Sequence, residues 1–172
     1  AGQLANNLLT LERAQAKLPQ AGKSVFAPAT ILEEIADKAA QQAHERDVAF
    51  QAKLDCHGVR LNGDPVMFEQ AVLNIINNAL VHGGADLTTI ELSAQARGDR
   101  FEVSVTDNGK GIAPQDFDRA LGRFSQVGPS AGSGLGLPIA AAVAKTLGGG
   151  ITLRNQEAVF VVTVSLPRPP VA

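Results

Sequence analysis

An α/β fold in one compact domain is predicted by three observations in this 172-residue chain. Stretches with apolar residues three or four apart, such as Phe68, Val72, Ile75, Ile76 and Ala79, alternate with stretches of period two, such as Phe101, Val103 and Val105. The longest helical stretch carries a start signal, Pro65 directly after Asp64. Glycine-bearing turns divide one stretch from the next. With 45% hydrophobic and 19% charged residues the chain can bury a sizeable core.

The elements follow in order. Leu4, Leu8 and Leu11 recur at helical spacing over residues 1–18, and the Pro- and Gly-bearing residues 19–23 stop that helix, which is set apart as an appendage. An extended piece around Val25 and Phe26 precedes a helix whose Thr30 and Glu33 stand in capping-box spacing, with Ile31, Ile35 and Ala39 on one face. Val48, Phe50, Ala52 and Leu54 alternate as a strand, and Asp64-Pro65 then opens a helix running to about His82. Two strands follow, Ile90, Leu92, Ala94 and Phe101, Val103, Val105, joined by a turn at residues 97–100. A short helix at Phe117 to Leu121, a loop, a helix after Gly136 and a hairpin holding Ile151, Leu153, Phe160, Val162 and Val164 complete the chain.

A net charge of −2 provides no long-range field for nucleic acid or an anionic membrane, so an anionic ligand must be held by local geometry. The lone Cys56 excludes an internal disulfide and reads first as an ordinary strand-end residue. No apolar run has spanning length and no signal peptide opens the chain, so a soluble, cytoplasmic piece is expected.

Three motifs carry chemistry. Gly132, Gly134 and Gly136 alternate directly before an apolar helix, giving the backbone room at a helix N-terminus. A dinucleotide fingerprint would need Gly where Leu137 stands, and a P-loop would need Gly directly before Lys145-Thr146, so neither loop fits. On the long helix, Asn74, Asn78 and His82 line one polar edge beside the apolar face. Asn is a mediocre helix former, so this edge is either simply solvated or places an Asn78 amide oxygen for a hard cation such as Mg²⁺. His82 can hydrogen-bond a phosphate or cap the helix end. Asp107-Asn108-Gly109-Lys110-Gly111 follows a strand; its glycines permit a tight turn, and Asp107 either accepts from an exocyclic amine or forms an Asx turn.

Taken in order, these motifs resemble those of the catalytic and ATP-binding domain of bacterial sensor histidine kinases, a branch of the ATPases that includes gyrase and Hsp90. "LNIINNA" is similar to the N-box, "DNGKGI" to the first glycine box, "GRF" to the phenylalanine box and "GSGLGL" to the second glycine box. The resemblance covers residues 24–167. It implies a Bergerat-type two-layer sandwich, a mixed, mainly antiparallel sheet on three helices. It makes residues 1–18 the end of a dimerisation and phosphoacceptor helix, 19–23 a linker and 168–172 a tail.

By the same resemblance, ATP and Mg²⁺ are the expected ligands. Asp107 would read the adenine amine and Gly109 and Gly111 would shape the base pocket, with Lys110 and Ile112 also among the ATP-binding residues. Asn78 would hold Mg²⁺, with Asn74 and His82 beside the phosphates. Arg123 and Phe124, then Gly132, Ser133, Gly134, Leu135, Gly136 and Leu137, would border a short lid over the triphosphate. Asn74 stands where gyrase-like and anti-sigma relatives carry Glu, and an amide cannot act as a general base. Val81 and Gln126 replace cations common in the family, leaving Lys110, Arg119 and Arg123 to meet the phosphates.

None of His44, His57 and His82 sits in a phosphoacceptor pattern, so a histidine on a separate domain is the expected acceptor, with a response regulator downstream. The resemblance further implies a homodimeric, inner-membrane sensor whose cytoplasmic catalytic piece is monomeric alone. An anti-sigma-type serine kinase and a catalytically weak nucleotide-binding scaffold stay open as alternatives.

Overall fold

The computed structural model describes residues 24–122 and 136–169. Its strands are β1 (Ser24–Phe26), β2 (Ala49–Asp55), β3 (Leu61–Gly63), β4 (Thr89–Arg97), β5 (Arg100–Asp107), β6 (Gly150–Gln156) and β7 (Val159–Pro167). Its α-helices are α1 (Pro28–Glu45), α2 (Pro65–His82), the single turn α3 (Phe117–Ala120) and α4 (Gly136–Thr146). The appendage at residues 1–18, the linker, Arg123, Phe124, the lid from about Ser125 to Ala131 with Gln126, and the glycine-box residues 132–135 lie outside the described residues.

Five strands form one sheet in the order β2-β4-β5-β7-β6. Only β2 and β4 are parallel; β4–β5 and β6–β7 are antiparallel, as two-residue hairpins at Gly98-Asp99 and Glu157-Ala158 require, and β5–β7 pair antiparallel across a long connection. Alternation then gives each strand one core face and one polar face. On β5, Phe101, Val103, Val105 and Asp107 are buried. On the other face Ser104 and Thr163 share a hydrogen bond of 2.8 Å, and Arg97 pairs with Glu102 at 3.0 Å. The core face is covered by α1, α2 and α4, giving the two-layer sandwich with its mixed, mainly antiparallel sheet.

The start of α2 is set by Asp64, whose carboxylate accepts from the Val66 N–H at 2.9 Å while Pro65 occupies the first turn. Phe68, Val72, Ile75, Ile76 and Ala79 are buried as their spacing requires, and Phe68 also packs on Phe26 of the β1–β3 ribbon at 5.4 Å. Phe68, Val72, Ile75 and Ile76 each contribute about 1.5–3 kcal/mol of burial, and Ala79 less.

Two expectations are corrected. No Thr30–Glu33 capping box starts α1: the helix begins at Pro28, which needs no N–H partner there, and Thr30 is already inside it and exposed. The buried stripe accordingly runs Leu32, Ile35, Ala39, Ala43, with Ile31 half-buried at its margin. No helix among the described residues is long and apolar enough to cross a membrane.

Candidate functional site: a pocket between the end of β5 and the edge of α2

Asp107 closes β5 with its side chain on the core face and is only 4% exposed. Its Oδ1 accepts from the Gly109 N–H at 2.9 Å, the local turn that the sequence allowed. Burial pushes its carboxyl above the usual range, and the Gly109 N–H pulls part of the way back. A carboxylate that gives one lone pair to the backbone keeps acceptor capacity for a ligand.

The loop after Asp107 is pinned on both flanks. Asn108 Oδ1 accepts from the backbone N–H groups of Thr88 and Thr89 at 2.9 and 3.0 Å. The Lys110 N–H donates to the Gly83 carbonyl at 2.8 Å, just past the end of α2. Gly109 packs so closely there that a Cβ would lie 2.3 Å from the Gly83 oxygen, so only glycine fits. Gly111 takes φ +66°, its Cα facing the Asn155 side chain of β6.

The polar edge of α2 grades from inside to outside. Asn74 is 2% exposed, Asn78 half-buried and His82 exposed. Asn74 Oδ1 accepts from Gln70 Nε2 at 3.2 Å, whereas its buried Nδ2 has no partner among the described residues. An unpaired buried donor costs about 1–3 kcal/mol, so Asn74 is no ordinary solvated residue. The packing of α4 against α2 does not itself demand glycine at Gly136, where a Cβ would meet the Asn74 carbonyl at an ordinary 3.5 Å.

These parts converge on one pocket of about 310 Å³. Asn78 and His82 line it from α2, Asp107, Lys110, Gly111 and Ile112 from the β5 loop, and Leu137 from α4. Arg119 reaches it from α3, its guanidinium 4.0 Å from Asp116 and mostly exposed. Gly109, Asn74 and Gly136 stand behind the wall, the first as a packing contact and the second as a buried neighbour one turn before Asn78. Arg123, Phe124, Gly132, Ser133, Gly134 and Leu135 lie outside the described residues.

Sequence reasoning missed Gly83, which holds the loop, and Phe160, which lines the pocket from β7 directly opposite Asp107. The double glycine after His82 signalled a helix end, not a support for a distant loop. Phe160 carried only the alternation of its strand.

Cys56 is buried just past β2, where burial pushes its thiol up and keeps it protonated, as a packing residue requires. Among the described residues no group of three or more His, Cys, Asp or Glu could hold a metal by itself.

Comparison with known proteins fits this geometry. Residues 63–170 match the family described as histidine kinase-, DNA gyrase B-, and HSP90-like ATPase. The alginate biosynthesis sensor protein KinB of Pseudomonas aeruginosa is 30% identical over 89% of this chain and 26% of its own length. A probable sensor histidine kinase HK of Mycobacterium tuberculosis is 32% identical over 97% of this chain and 44% of its own. This chain thus spans less than half of either relative. The ATP binding domain of PrrB from Mycobacterium tuberculosis superposes with a TM-score of 0.64 at 26% identity, covering 86% of this chain and 98% of that domain. With the family matched over well over half its length, around a pocket built from the same motifs, the chain belongs to the histidine kinase-, DNA gyrase B- and HSP90-like ATPases.

Proposed function

We propose that this chain is the ATP-binding catalytic domain of a protein histidine kinase, positioning Mg-ATP for phosphoryl transfer to an imidazole on a separate phosphoacceptor domain. The observation that carries the reading is that the buried Asp107 and the half-buried Asn78 line the same pocket. Asp107 accepts from the adenine amine, Gly111 and Ile112 border the base, and Phe160 backs it. Lys110 and Arg119, with Arg123 outside the described residues, supply cationic contacts that Val81 and Gln126 do not. The further ATP-binding residues are Phe124, Gly132, Ser133, Gly134 and Leu135, outside the described residues, and Gly136 and Leu137 at the start of α4, where helix N-terminal N–H groups favour negative charge.

The donor set suits Mg²⁺: one amide oxygen from Asn78, completed by phosphate oxygens and water, is the sparse shell this ion accepts. When bound, it neutralises charge on the triphosphate. Asn74, whose buried amide Nδ2 has no partner among the described residues, supplies no base. The chain therefore orients and stabilises, and the acceptor imidazole forms the N–P bond as the bridging P–O bond breaks and ADP leaves with the electron pair.

In this reading residues 24–167 form the catalytic domain, 1–18 end a dimerisation and phosphoacceptor helix, 19–23 link the two and 168–172 are a tail. The full protein is a homodimeric sensor with this domain in the cytoplasm and a response regulator downstream.

Calorimetric titration tests the base assignment. Guanine places a carbonyl where adenine places its amine, leaving the Asp107 oxygen unpaired, so wild type should bind Mg-ATP well and Mg-GTP weakly. In Asp107→Asn the side-chain oxygen stays with Gly109 and an NH₂ faces the amine, so ATP affinity should fall about 10- to 100-fold, the worth of a charged hydrogen bond. Equal ATP and GTP affinity in the wild type would sink the assignment.

A further inference from the structure

We propose that Asn155, on the edge strand β6, is a positioning residue that holds the base-binding end of the Asp107 loop. The proposal rests on reading the pocket as an adenine site. Asn155 lies outside that pocket, yet its Nδ2 donates to the Ile112 carbonyl at 2.8 Å. Its Oδ1 comes within 2.9 Å of the place a Cβ on Gly111 would take. Gly111 and Ile112 both line the pocket. One amide therefore holds Ile112 by a hydrogen bond and occupies the space beside Gly111.

The sheet register explains why this amide arrives there. Asn155 pairs with Phe160 across the β6–β7 hairpin, and Phe160 pairs with Asp107 across β7–β5. Asn155, Phe160 and Asp107 thus form one row across three strands, with the loop folding back from Asp107 over Phe160 to meet Asn155. The near half of the loop is anchored by Asp107, by Asn108 on Thr88 and Thr89, and by Lys110 on Gly83. At its far half, the bond from Asn155 is the one side-chain hydrogen bond to residues 111–113 among the described residues.

Without it the loop must be ordered when nucleotide binds, and that ordering cost weakens affinity while leaving the chemistry at the other end of the nucleotide untouched. Because the grip acts at the base, ATP and ADP should lose affinity by the same factor.

Two variants in the same chain test this. Asn155→Ala removes both contacts. Asn155→Asp keeps the size but turns an acceptor toward the Ile112 carbonyl. Asn155→Ala should raise the dissociation constants for Mg-ATP and Mg-ADP alike by about 3- to 10-fold, the range of one hydrogen bond, and Asn155→Asp should raise them at least as much. The transfer rate to a supplied phosphoacceptor domain should be unchanged at saturating ATP. In nucleotide-free protein, amide exchange across residues 109–113 should accelerate in both variants with the global unfolding midpoint little changed.

Wild-type affinity in both variants overturns the proposal, as does a loss confined to ATP or to the saturated rate. A wild type that binds no ATP fails the adenine reading itself. Loop exchange still reads the brace in that case, and unaltered exchange overturns it there too.

Discussion

At the residue scale, Asp107 ties stability to the proposed adenine contact. Its carboxyl is held above the ordinary value of 3.8 chiefly by burial, so protonation is favoured more in the folded than in the unfolded chain. Its contribution to stability is fully present below that value and is lost as pH rises through the raised one. Asp107→Asn removes the ionisation and keeps an oxygen for the Gly109 N–H. In nucleotide-free protein, the urea midpoint of the variant relative to wild type should therefore climb between pH 4 and pH 7, even as nucleotide binding is lost. A difference that stays flat with pH would contradict the burial argument. The turn at Asp107 was legible in the sequence, because an acid at a strand end followed by spaced glycines reads as an Asx turn, and its Oδ1 does accept from the Gly109 N–H. Phe160 was not, since its place depends on the β5–β7 register, a long-range pairing with no local signal.

At the element scale, α2 does most of the positioning. Asp64 fixes where it starts, its apolar face fixes its rotation, and that rotation carries Asn74 inward and Asn78 to the pocket. Removal of the cap by Asp64→Ala should cost about 1 kcal/mol in chemical unfolding. Past its other end, Gly83 receives the β5 loop backbone to backbone, leaving no flexible side chain to give way. Gly109→Ala should therefore cost about 1–3 kcal/mol by overpacking and abolish nucleotide binding, whereas Gly150→Ala, with nothing within 4 Å of its Cβ, should change neither urea midpoint nor ATP titration. The caps and faces of α2 were legible. The true start of α1 was obscured by a capping-box spacing that Pro28 overrides, and β3 is too short, at Leu61–Gly63, to show alternation.

At the scale of the whole molecule, the strand order puts β5 at the centre of the sheet, and the end of that strand meets the last turns of α2. The mixed α/β pattern announced the layers, and the ordered motifs announced the family. The parallel pairing of β2 with β4 and the convergence of five elements on one pocket come from packing between segments distant in sequence. What this assembly offers is orientation and charge without a carboxylate base at Asn74. A neutral imidazole attacks without one, so Asn74→Glu should not speed histidine transfer. The decisive measurement mixes the chain with γ-labelled ATP, Mg²⁺ and the phosphoacceptor region from its own full-length protein, with an anti-anti-sigma-type serine acceptor in parallel. Label is expected on the phosphoacceptor histidine, lost in acid and stable in base as a phosphoramidate is, with little ATP hydrolysis by the chain alone. Acid-stable label on serine, or tight ATP binding with transfer to neither acceptor, would contradict it.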